Sequence, residues 1–204
     1  MIVLLALLVL SVFILPGLIG DAEAWHITVD VLLTLALLSG VVAIVDHGRL
    51  AIVLALLCVL VIALRLLEWT DAATLPSALR NSSLVAAFLV LALAVGINVF
   101  SKGQSIGERV AGAVVLYLLI GLIWAYVYML VNRLIPNAFT RPAGDAAEIP
   151  EWVYFSFITL TTVGYGDITP VARAARAIAT LEAFVGQLYP AIIIARFVSL
   201  PSKA

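Results

Sequence analysis

Six apolar stretches, at about 2–19, 27–45, 50–67, 84–100, 110–131 and 174–200, each approach or exceed the length needed to cross a bilayer. The hydrocarbon core is about 30 Å thick and a spanning helix takes about 20 residues. No other feature limits the fold so tightly. Of the 204 residues, 65% are hydrophobic and 11% charged, where a soluble domain carries about 25% charged residues. A domain of this size cannot hide that excess in one soluble core, so the composition describes an integral membrane protein. A net charge of −1 offers no basic face for nucleic acid. The single cysteine, Cys58, lies in an apolar run and rules out an intrachain disulfide or a cysteine-rich metal site. His26 and His47 sit alone in loops, so no catalytic constellation is expected. No Lys or Arg precedes the first apolar run, whereas a secretory signal carries a basic n-region. Met1–Gly20 is therefore expected to stay as a transmembrane helix.

Polar separators divide the first five stretches: DAEAWH, DHGR, DAATLPSALRNSS and SKGQSIGER. The fifth gap, 132–167, is too long for a plain turn and holds a second amphipathic piece, EWVYFSFITLTT at 151–162. Twelve helical residues rise only about 18 Å, enough to enter the hydrocarbon but not to cross it. Pro150 and Glu151 suit a helix start, where a missing N–H costs nothing and negative charge meets the dipole.

Thr161-Thr162-Val163-Gly164-Tyr165-Gly166-Asp167 follows directly. An ion leaving water inside a membrane needs a full shell of oxygens, none so attractive that the ion stays. Backbone carbonyls meet that need if successive ones point the same way. The backbone must then alternate between left- and right-handed regions, and glycine adopts φ > 0 without steric cost. Gly164 and Gly166 have the required spacing of two. Thr162 adds a hydroxyl oxygen at the inner end, while Val163 and Tyr165 can pack outward.

This segment resembles the selectivity-filter signature of potassium channels. The order from about Val110 to Leu200 is also similar to that family's: transmembrane helix, short pore helix, filter, inner helix. The resemblance implies an all-α membrane protein of six transmembrane helices, with a re-entrant pore helix and filter loop between the fifth and sixth. It implies potassium coordination by Thr162, Val163, Gly164, Tyr165 and Gly166, with Thr161 and Asp167 as support. Asp167 would be braced by a pore-helix aromatic, Tyr154 or Trp152. Ile158 stands where some bacterial relatives carry a glutamate. Since family filters are built by four loops around one axis, the chain is expected to form a homotetramer. Residues 1–103 would form a four-helix domain and 104–204 the pore domain. Both termini would be cytoplasmic, an orientation that only the resemblance decides, because five basic residues on each side leave the positive-inside rule neutral. The presumed outer side is acidic, which would concentrate cations at the mouth.

In the last stretch Pro190 removes a backbone N–H and frees the carbonyl of Gly186. Gly186 matches the family's hinge glycine, so a gate bending at Gly186 and Pro190 is expected, with Gln187 lining the cavity. Glu182 is a lone acid within a span, either paired with a polar group behind the filter or sensing protons. Within the first four helices, Arg65 and Glu68 share one face and Asp30 is a candidate partner for Arg65. Between Arg80 and Lys102 there is no basic residue, so an arginine-ladder voltage sensor is absent. The expectation is a passive potassium-selective channel without organic cofactor, spanning the bilayer of a prokaryotic cytoplasmic membrane. A less selective cation pore and a non-conducting subunit are the alternatives.

Overall fold

The computed structural model describes residues 2–14, 31, 34–36, 38–39, 41, 49–69, 77–100, 105–141 and 149–199. Asp30 lies outside the described residues, as do the side chains of Arg65 and Glu68, so their expected pairing does too. The chain separates into two compact units, Met1–Ile123 and Trp124–Ala204.

The first unit is helical. Helix α1 (Ile2–Val9) continues as a π-helical turn over Leu10–Ile14. Helix α2 (Arg49–Trp69) packs on α3 (Ser77–Phe100). On α3 the buried residues Ala87, Leu91, Ala94 and Val95 recur at helical spacing and form one core-facing stripe. Helix α4 (Ile106–Leu134) begins with a capping box. The Glu108 carboxylate accepts from the backbone N–H of Ser105 at 3.0 Å, and the Ser105 hydroxyl accepts from the Glu108 N–H at 3.3 Å.

In the second unit α4 ends in a turn closed by Asn137 at φ 56°, a left-handed position that asparagine tolerates. A two-residue strand, β1 (Phe139–Thr140), pairs antiparallel with β2 (Thr169–Pro170). Between them lie α5 (Ile149–Leu160) and the loop 161–168. Helix α6 (Arg173–Val198) follows, with Pro190 inside it. Phe139, Trp152, Phe155 and Tyr128 form an edge-to-face aromatic cluster, with ring centroids 4.8–5.7 Å apart for the closest pairs. Phe139 thus anchors β1, and through it β2, to the buried side of α5.

Among the described residues α4 and α6 are long and apolar enough to cross a bilayer. Helix α5 has the twelve residues expected of the short piece, shifted two positions toward the N-terminus, so Thr161 and Thr162 belong to the loop.

Candidate functional site

The loop is built by the way α5 ends. The last carbonyls of a helix have no intrahelical partner, and here the loop's own N–H groups take them. Thr161 N–H donates to Phe157 O at 3.0 Å, and Thr162 N–H to Thr159 O at 2.9 Å. Val163 and Gly164 N–H both donate to Ile158 O, at 2.8 and 3.1 Å. No peptide here is cis, and in a trans peptide the carbonyl points opposite to the next residue's N–H. The carbonyls of Thr161, Thr162 and Val163 are therefore turned away from the end of α5. Among the described residues, no carbonyl from Thr162 to Gly166 accepts a hydrogen bond.

Such a run of same-facing carbonyls needs a backbone that alternates. Thr162, Gly164 and Gly166 have φ of 60°, 55° and 82°. The two glycines were legible in advance. Thr162 was not, because threonine has no preference for that region, and only its register two before Gly164 points to it. Its side chain is met from α6: Gln187, expected to line the cavity, donates from Nε2 to Thr162 Oγ1 at 3.0 Å. A cleft of about 580 Å³ is bounded by Thr162, Gly164 and Gly166 of the loop, Ile158 and Thr159 of α5, and Ala183 of α6.

At the other end of the loop the Tyr154 hydroxyl donates to Asp167 Oδ2 at 2.8 Å. Trp152, the other aromatic candidate, is buried against Phe139. The hydroxyl of Thr161 donates back to Phe157 O at 2.6 Å. Nearby on α5, Glu151 forms an ion pair with Arg141 at 3.2 Å.

On the far side of α5, Glu182 is fully buried. Its carboxylate accepts from the Ser156 hydroxyl on one oxygen and from the Tyr128 hydroxyl on the other. Sequence reasoning singled out Glu182 but neither hydroxyl partner, because nothing in spacing links α4, α5 and α6. Gly186, one turn further along α6, is buried against α5. A Cβ there would lie 1.9 Å from Leu160 O, so the glycine allows a backbone-to-backbone approach.

Residues 112–203 match the model of a family described as "Ion channel". The chain is similar to Protein LctB of Bacillus caldotenax, 37% identical over 87 residues, covering 40% of this chain and 64% of that protein. It is similar to Protein LctB of Geobacillus stearothermophilus, 38% identical over 80 residues, covering 37% and 59%. It also resembles two pore potassium channel c of Oryza sativa subsp. japonica, 35% identical over 65 residues, covering 32% of this chain and 14% of that one. The chain thus spans less than two thirds of the length of these relatives. No solved structure matches it. The family match and the apolar helices together support an ion channel, located in a membrane.

Proposed function

We propose that the protein is a potassium-selective channel that conducts passively through a homotetrameric pore. Thr162 to Gly166 coordinate the dehydrated ion, and Tyr154 and Asp167 brace the strand. The observation that carries this reading is the alternation of φ at Thr162, Gly164 and Gly166, together with N–H groups tied back to α5. It leaves consecutive carbonyls free and facing one way, which suits replacement of a hydration shell. The likeness to a potassium channel from rice favours potassium among cations. A single loop of this kind supplies a quarter of a coordination shell, hence four copies. The cleft beside the loop is where a neighbouring copy would dock.

In this reading six helices span a prokaryotic cytoplasmic membrane, with both termini cytoplasmic. Residues 1–103 form a four-helix domain without a voltage sensor, and 104–204 the pore domain. The α5 helix dipole points its negative end toward the central cavity and favours a cation there. Pro190 and Gly186 form the bending point of the inner helix. Proteoliposomes loaded with potassium, with a protonophore present so that inward protons carry the compensating charge, test the function: potassium should leave rapidly, and sodium-loaded vesicles should hold their content. Equal sodium and potassium efflux would point instead to an unselective pore.

A further inference from the structure

The buried face of α6 consists largely of small residues, Ala175, Ala179 and Gly186, with Glu182 among them. A smooth face of that kind packs on a neighbouring helix in more than one register. Glu182 breaks the degeneracy. Its two carboxylate oxygens receive one hydroxyl from α5 and one from α4, Ser156 and Tyr128, and all three groups are buried. Among the described residues no Lys, Arg or His pairs with it. A carboxylate taken out of water is costly unless its acceptor sites are filled, so only the register that presents both hydroxyls is acceptable. The carbonyl of Ile158, which holds the N–H groups of Val163 and Gly164, lies two residues beyond Ser156 on the same helix.

We propose that Glu182 is a positioning residue for the coordinating loop: it fixes α5 against α4 and α6, and so fixes where the loop's carbonyls stand. The proposal deepens the channel reading and rests on it for its functional meaning. The structural part is independent, and the test separates the two.

Amide hydrogen exchange on the full chain in nanodiscs reads the loop directly. Glu182→Gln keeps the size but turns one acceptor oxygen into an NH₂ donor, so that one hydroxyl loses the acceptor for its proton, and Ser156→Ala removes one donor. In each variant exchange at Val163 and Gly164 should rise about tenfold, the effect of losing one buried hydrogen bond. Exchange in the middle of α6 should stay unchanged. Ile193→Ala, which trims a buried side chain on the same helix, serves as the packing control and should leave the loop amides protected. In bilayers the potassium-over-sodium permeability ratio should fall in Glu182→Gln and not in Ile193→Ala. Unchanged loop exchange in both Glu182→Gln and Ser156→Ala overturns the proposal, as does a uniform rise along the whole chain. An unmodified protein that does not select potassium, with the exchange pattern as expected, overturns the channel reading and leaves the positioning role standing.

Discussion

Gly164 stands in the middle of the loop proposed to coordinate potassium. Its φ of 55° lies in the left-handed region, yet nothing stands within 4 Å of where a Cβ would be. Alanine there is disfavoured by backbone conformation alone, at about 1–2 kcal/mol. The Gly164→Ala variant should therefore fold and assemble, as checked by size-exclusion mass, while losing potassium selectivity. Gly186 behaves in the opposite way. Its φ is helical, but an added Cβ would meet the carbonyl oxygen and carbon of Leu160 at 1.9 and 2.7 Å. Backbone cannot move aside as a flexible side chain can, so Gly186→Ala should destabilise by at least the 1–3 kcal/mol typical of about one extra methyl in a full core. A thermal melt checks this. Tyr154 holds Asp167 from a partly exposed position. Tyr154→Phe should leave the melt nearly unchanged and speed the decay of current during sustained opening.

At the scale of elements, the short helix and the loop were the most legible parts of the sequence. A twelve-residue piece too short to span, followed by glycines two apart, predicts a short helix and a loop of alternating backbone; α5 has twelve residues and the loop has positive φ at Thr162, Gly164 and Gly166. Less legible was everything fixed by contact between elements. The β1–β2 pair, two residues a side, is too short to show a period. The Tyr128 and Ser156 hydroxyls meet Glu182 from helices 54 and 26 residues away in sequence. Trp152 and Tyr154 were equivalent as partners for Asp167 until the turn of α5 placed Trp152 against Phe139 and Tyr154 beside the loop. Gly186 has a packing role besides the bending role assigned from the sequence, so a test of the hinge must not touch it. Pro190→Ala restores a helix donor without crowding α5 and is the cleaner variant. It should lower open probability in single-channel records while leaving the permeability ratio intact; unchanged gating would contradict the hinge.

For the whole molecule, the first unit is set apart by what its helices lack. Each gating charge that crosses the field contributes about 2.3 kcal/mol per 100 mV, and residues 81–101 hold no Lys or Arg. Open probability should therefore vary with voltage by far less than one elementary charge would produce, as steady-state recordings between negative and positive potentials will show. In the second unit, the loop 162–166 is proposed to pass potassium and reject sodium. The most direct measurement is the reversal potential of the purified protein in a planar bilayer, under a potassium gradient across it with sodium making up the difference. The expected value lies near the potassium equilibrium potential and is lost in Gly164→Ala. A reversal potential near zero in the unmodified protein would contradict it.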